Sequence, residues 1–280
     1  MGAQGMSKSE VSRMAQALDE QVETFRQRPL SDHTWPYVWL DAIYLKVRDG
    51  GRVRSKAVLV AFGVSDEGFR EVLGLEVAYG EMESAWSGFL ESLVRRGLGG
   101  VELVVSDAHS GLRAAIRRVL NGTTWQRCTV HFLRNVLSRL PRKAHGLASA
   151  AIRNIFRQPT LDDAKAAVGR AIELLEAKWP DAAELLRDAE EDVLAFMSFP
   201  EQHWRQLRST NPLERLNKEI RRRTDVVGIF PNDAATIRLV GMLLVEQNDE
   251  WLVGRRYFSL ASMALITGSA IVPLPALEAV

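Results

Sequence analysis

The chain has a single cysteine, Cys128, in 280 residues. No internal disulfide is available to it, and the composition fits a reducing compartment. Neither sign of charge dominates: 36 Lys and Arg against 35 Asp and Glu leave a formal +1. That excludes a global basic field, so a nucleic-acid partner would have to be met by local runs. PRKAH (141–145) and IRRRT (220–224) are the candidates. Uninterrupted apolar runs of about eighteen residues are missing as well, so no membrane span is expected. No signal peptide opens the sequence. The apolar tail ALITGSAIVPLPALEAV (264–280) is broken by Gly268, Pro273 and Pro275 and reads as loosely ordered or as a small packed flap. Internal repeats and low-complexity stretches are absent. What is present is ordinary for a globular protein: 46% hydrophobic and 25% charged residues.

Residues 7–25 read as a helix, with Ser7 as cap and Glu10 completing a capping box. A linker with two prolines follows at 28–36. Residues 37–68 read as two strands around a tight turn at Asp49–Gly51, and 71–80 as a third. An amphipathic helix (82–98) precedes a short apolar strand (101–107), then a helix (109–120) and a fifth strand within 124–131. From there to about residue 200 the spacing is helical throughout. A helix restarts in STNPLERLNKEIRRR (209–223), and 233–254 supplies the last long one. Three strands, helix, strand, helix, strand, then helices is the order of a ribonuclease-H-like α/β fold, a mixed sheet with flanking helices.

Three carboxylates stand out. Asp41 sits inside an apolar strand, where aspartate is disfavoured, and a buried one needs a cation, donors or a metal. The plainer reading is a solvent-facing residue of an edge strand. Asp107 ends a strand before a glycine-bearing loop, at the sheet edge where α/β ligand sites gather. The plainer reading there is a helix cap. Glu214 shares a helical face with Asn217, Lys218 and Arg221. Its plainer reading is a capping box, with Asn211 as cap and Pro212 in the first turn. Two sheet aspartates and a helix glutamate form the donor set of a two-magnesium site, with ions roughly 3.5–4 Å apart. Glu219 is the rival to Glu214, but on a helical wheel it points well over a right angle away.

The blocks YVWLDAIYLKVR, VVSDAHSGL, WQRCTVHFLRN, HWRQLRSTNPLERLNKEIRRRTDVVGIFPND and EWLVGRRYFSL resemble the successive signature blocks of Mutator-type transposases of bacterial insertion sequences. The likeness runs from about residue 7 to 263. It implies a DDE transposase whose ribonuclease-H-like core is interrupted by a helical insertion before the final glutamate. Asp41, Asp107 and Glu214 match the catalytic, metal-holding acids. Residues 28–131 and 201–263 would form the core, 132–200 the insertion and 264–280 an irregular tail. The cofactor implied is Mg²⁺, with Mn²⁺ substituting. The implied partners are transposon-end and target DNA and further copies of the chain on that DNA. The implied location is the bacterial cytoplasm, at the nucleoid.

Asn217, Lys218, Arg221, Arg222 and Arg223 become candidate contacts to the DNA backbone. Trp204 is either a base-stacking residue or a core anchor. Cys128 and His131 match the family's Cys-x-x-His motif. One cysteine and five histidines make a four-ligand zinc site an unfavoured reading. Cys128 is expected to pack in the fifth strand, and His131 to reach the active site or a phosphate. His109 either leans toward Asp107 or is a loop histidine. The front departs from the family: residues 1–27 look like a remnant of a longer helix-turn-helix region. The expectation is an N-terminally shortened transposase. Its alternatives are a catalytically idle regulator that binds DNA or oligomerises, and a host nuclease or junction resolvase of the same fold.

Overall fold

The computed structural model describes residues 7–268. Helix α1 (Lys8–Gln27) starts with the expected capping box: the Glu10 N–H donates to Ser7 Oγ, and the Ser7 N–H donates to Glu10 Oε2 at 2.8 Å. Strands β1 (Tyr37–Asp49) and β2 (Arg52–Val64) form an antiparallel hairpin in continuous register. The two residues between them, Gly50 and Gly51, have φ of 55° and 75°. Consecutive positive φ angles are what a two-residue hairpin turn demands, and they favour glycine. Strand β3 (Arg70–Ala78) completes the meander, with a register shift at Ala61/Phe62. After α2 (Glu83–Arg95), β4 (Leu103–Ser106) pairs parallel to β1. After α3 (Ser110–Val119), β5 (Thr124–Arg127) pairs parallel to β4. The sheet order is β3-β2-β1-β4-β5, a mixed five-stranded sheet.

Period-two alternation assigns the two faces of this sheet. Val38, Leu40, Leu59 and Leu73 pack with Trp86, Phe89 and Leu93 of α2 and with Leu112 and Ile116 of α3. Tyr37, Trp39, Ile43, Val60 and Phe62 face the other way, into a second and larger cluster. Asp41 is odd-numbered and so falls on this second face. Helices α4 (Thr129–Leu137), α5 (His145–Ile155), α6 (Leu161–Glu176), α7 (Pro180–Asp188), α8 (Glu190–Leu194) and α9 (Trp204–Leu207) follow β5. They form the expected all-helical stretch, but not a separate body. Phe132, Val168, Leu175 and Phe196 belong to the same cluster as Trp39 and Phe62. Buried Gln126 of β5 ties the two together: its amide donates to the Val193 carbonyl (3.1 Å) and accepts from the Phe196 N–H (2.7 Å).

Helices α10 (Asn211–Val227) and α11 (Asp233–Val253) return to the sheet, and α12 (Leu260–Thr267) ends the described chain. The tail expectation is corrected for its first residues, since 264–267 close a helix. Residues 269–280 of that expectation lie outside the described residues. No described helix is long and apolar enough to cross a membrane.

The rear of α1 is docked on α11. Val22 is buried, and Arg238 grips Asp19 through two bonds of 2.7 and 2.6 Å. A Cβ on Gly241 would collide with the Val22 side chain. Gly241→Ala therefore loses about 1–3 kcal/mol to overpacking, more than the helix-propensity gain of about 1 kcal/mol. Urea melts should show that loss, and adding Val22→Ala should restore most of it. A retained loss in the double variant contradicts the packing argument.

His203 is fully buried, and its Nδ1 is hydrogen-bonded to the Tyr37 hydroxyl (2.8 Å). Burial pushes its pKa down to about 4. A neutral folded histidine binds fewer protons than its unfolded counterpart between about pH 6.5 and 4. Stability should therefore fall as pH drops through that window. His203→Gln keeps an acceptor for Tyr37 and cannot titrate, so its urea midpoint should decline less between pH 7 and 5. An equal decline in both proteins would mean His203 is not the cause.

Candidate active site

Strands β1 and β4 pair Tyr37 with Leu103, Val38 with Val104 and Trp39 with Val105. Extended two residues, this parallel register sets Asp41 beside Asp107, with both side chains on one sheet face. The same row continues onto β5, where the Cys128 N–H donates to the Ser106 carbonyl (2.8 Å). The Asp41 carboxylate takes two hydrogen bonds, from its neighbour's Ala42 N–H (2.9 Å) and from the Asn217 amide of α10 (2.7 Å). Burial pushes the Asp41 carboxyl up to about 6. The Ala42 bond and His131 oppose that shift, while Glu81 and Asp107 add to it. Asp107 is half-buried, and one of its oxygens accepts from the Ala108 N–H (2.7 Å).

His131 lies in the first turn of α4. Its pKa is raised to about 9 chiefly by the Cys128 sulfur, with Asp107 and Asp41 adding to the effect and burial opposing it. Its Nδ1 is buried without a hydrogen-bond partner. Cys128 is buried just past β5, as the residue before α4, rather than within the strand. Its sulfur accepts from the Thr210 N–H (3.4 Å) and hydroxyl (3.3 Å). The motif thus fastens the start of α4 to the start of α10.

That contact also decides how α10 begins. Thr210, not Asn211, precedes the first helical residue, and no side chain caps the helix. The capping box that was the plainer reading of Glu214 does not form. The Glu214 N–H donates to the Thr210 carbonyl, while its side chain meets Arg134 at 3.4 Å. One turn further on, Asn217 is 8% exposed, and its Oδ1 has no hydrogen-bond partner. Asn217 is therefore corrected from a DNA contact to a buried partner of Asp41.

The rest of α10 divides. Arg222 and Arg223 are tied to Glu219 at 2.6 and 3.0 Å, which pulls the Glu219 carboxyl down to about 2. Lys218 and Arg221 are exposed, with no ion pair among the described residues. Trp204 donates to the Phe199 carbonyl (2.7 Å) and meets Phe196 edge-on, which is a core contact and not a free stacking face. His109 is exposed beside a cavity of about 600 Å³ lined also by Glu81 and Glu83.

The structure therefore brings together Asp41, Asp107, His131, Cys128 and Asn217, with Glu214 a helical turn from Asn217. Among the described residues, no three His, Cys, Asp or Glu side chains converge closely enough to hold a metal ion. Two neighbours were not foreseen. Glu81, after β3, raises the Asp41 pKa, and the half-buried Arg127 feels the charge of Asp107. A glutamate in a glycine-containing turn and an arginine beside Cys128 gave no distinguishing pattern in the sequence.

The model of the Mutator family of transposases matches residues 1–254. The transposase of insertion sequence element IS1081 of Mycobacterium tuberculosis is 48% identical over 260 residues, covering 93% of this chain and 63% of that protein. The ISRM5 transposase of Rhizobium meliloti is 44% identical, covering 91% and 64%. The IS256 transposase of transposon Tn4001 from Staphylococcus aureus is 40% identical, covering 90% and 65%. The chain spans a little under two thirds of the length of these relatives. A Drosophila P element transposase strand transfer complex aligns at a TM-score of 0.48 and 12% identity, over 88% of this chain and 86% of that one; so slight a likeness carries no argument. The match across the chain and the identity to these relatives agree: the chain belongs to the Mutator family of transposases.

Proposed function

We propose that the chain is the catalytic part of an insertion-sequence transposase that cuts element ends and joins them to target DNA in the bacterial cytoplasm. The observation that carries this reading is the β1–β4 register, which sets Asp41 beside Asp107 with α10 directly over Asp41. The mixed sheet order β3-β2-β1-β4-β5 supports reading it as a ribonuclease-H-like core. On this reading residues 28–131 and 201–263 form that core, and 132–200 is a helical insertion sharing its hydrophobic interior.

The donor set fits a hard divalent cation, Mg²⁺ or Mn²⁺: carboxylate oxygens of Asp41 and Asp107, with the unpartnered Asn217 Oδ1 beside them. When bound, the cation would polarise the scissile phosphodiester and neutralise charge building on it. Glu214, paired with Arg134 at 3.4 Å, would have to leave that partner to join this set. The protein's own groups do the rest. Asn217 fixes the rotamer of Asp41. His131 balances the charge of the paired aspartates. Lys218 and Arg221 hold DNA phosphates on the exposed face of α10. Water then attacks a phosphodiester at an element end, leaving a 3′-hydroxyl and a 5′-phosphate. That 3′-hydroxyl attacks a target phosphodiester, forming the new ester as the target strand's own 3′-hydroxyl leaves. Pairing of copies on the two element ends belongs to the same reading.

The test is joining of a pre-cleaved element end to a supercoiled plasmid with Mg²⁺ or Mn²⁺. Covalent joint products are expected, and EDTA should abolish them. The second reading, an idle DNA-binding regulator, draws on the Glu214–Arg134 contact. DNA binding without joint products in either metal would favour it.

A further inference from the structure

A cavity flanks the start of α10, lined there by Asn211, Arg215 and Leu216. Its volume is about 710 Å³, and Arg70, Arg205 and Arg215 converge on it from β3, α9 and α10. Among the described residues, none of these three arginines hydrogen-bonds or ion-pairs with a carboxylate. Glu250 is the one acid lining the cavity, and it already accepts from Gln247 (2.8 Å). Arg70 is half-buried and stacked between Trp251 (4.5 Å) and Tyr257 (4.4 Å). Holding a guanidinium there costs desolvation, and Arg215 adds like charge; both press its pKa down. Tyr257 is placed by the return of the chain after α11, where its N–H donates to the Gly68 carbonyl (2.8 Å).

The start of α10 adds to the positive field. Asn211 opens the helix on the cavity wall, and Thr210 gives its hydroxyl to Cys128 instead of capping. The Asn211 N–H donates to Ser209 Oγ (3.5 Å) and Pro212 has no N–H, so the helix start lends the cavity its dipole and not a row of free donors. Three converging arginines, none paired with a carboxylate among the described residues, are chemistry for a phosphate. The volume lies within the range of about 300–1,000 Å³ typical of sites for nucleotide-sized ligands. With both of its aromatic rings occupied by Arg70, the cavity recognises charge and not base identity.

We propose that this cavity grips a backbone phosphate and its sugar from a DNA strand, as an anchoring subsite at the start of α10 that shares none of its lining with Asp41, Asp107 and Glu214. The proposal rests on the chain acting on DNA, but not on the chemistry assigned to Asp41, Asp107 and Glu214.

The test is fluorescence anisotropy of a labelled duplex and its single strand over a salt series. Arg205 and Arg215 are exposed, so Arg205→Gln and Arg215→Gln should fold normally, as circular dichroism will check. Each should weaken binding of both probes at all sequences and lower the salt slope by about 1. Arg215→Lys, which keeps the charge, should restore most of the slope. Arg170→Gln on the outer face of α6 should bind as the unaltered chain does. Unchanged slopes in both Gln variants overturn the proposal, even if the carboxylate variants have lost joining. Inorganic phosphate at constant ionic strength separates the sources. Competition at concentrations far above those of the DNA fits a strand phosphate. Tight phosphate binding lost in the Gln variants, with DNA binding intact, would make the cavity a free-phosphate site and overturn the strand proposal. Normal slope changes with no joining by the unaltered chain would sink the catalytic reading and leave the subsite standing.

Discussion

Asp107→Asn should lower DNA joining by about a thousandfold or more while leaving the fold and DNA affinity intact. A charged oxygen ligand that stabilises phosphoryl transfer through a cation contributes several kcal/mol to the transition state, and each 1.36 kcal/mol is a factor of ten. Asp107 is the cleanest position for this test. It follows β4 half-exposed, and among the described residues its side chain takes one hydrogen bond, from the adjacent Ala108 N–H, which asparagine's oxygen can still accept. Asp41→Asn should be as damaging to joining, but its effect on the fold differs. The buried Asp41 carboxylate accepts from Asn217, and burial already raises its pKa to about 6. A neutral amide relieves that cost, and its N–H can donate to the unpartnered Asn217 Oδ1 once the Asn217 amide turns over, so the variant should melt no lower than the unaltered chain. Glu214→Gln should also abolish joining, although its carboxylate now rests on Arg134. Melting curves, anisotropy and joint-product yields on the three proteins separate these effects. Any of the three variants joining DNA within a few-fold of the unaltered chain removes that residue from the chemistry.

The second large effect is structural. Trp39 is fully buried two residues before Asp41. It stacks on Phe62 with ring centroids 4.8 Å apart, meets Tyr257 edge-on, and donates to the Ser209 carbonyl (3.2 Å). It thus fastens β1 to the segment that launches α10. Trp39→Ala should cost about 3–5 kcal/mol through lost burial and a residual cavity. Trp39→Phe keeps most of the packing but leaves the buried Ser209 carbonyl without its donor, a loss of about 1–3 kcal/mol. Urea unfolding at neutral pH reads both. In the Phe variant, joining should fall more than stability alone explains, because the register between Asp41 and α10 loosens. If Trp39→Ala melts within about 1 kcal/mol of the unaltered chain, the anchoring role is wrong.

Elements with a strong local cause were readable from the sequence. Asp49-Gly-Gly dictated the hairpin because only glycine takes two positive φ angles in succession without strain. The apolar run ending at Asp107 marked a buried strand, and its parallel pairing with β1 then set the row Asp41–Asp107. The start of α10 was misread because the usual cap signal at Asn211 competed with a long-range bond. Thr210 is drawn to a cysteine 82 residues earlier, and no local pattern encodes that. Asn217 looked like a surface residue of a charged helix until the sheet packed against it. The three cavity arginines lie at 70, 205 and 215, so only the folded chain makes them neighbours. Helix α12 went unseen at its end because 264–267 continue into an apolar tail without periodicity.

The central claim is that Asp41 and Asp107 hold a divalent cation on one sheet face. Mn²⁺ binding, followed by loss of the free-ion electron paramagnetic resonance signal, tests it directly. The unaltered chain should take up Mn²⁺, and Asp41→Asn, Asp107→Asn and the pair together should lose that uptake while Arg170→Gln keeps it. Undiminished Mn²⁺ uptake by the doubly substituted protein would contradict the account.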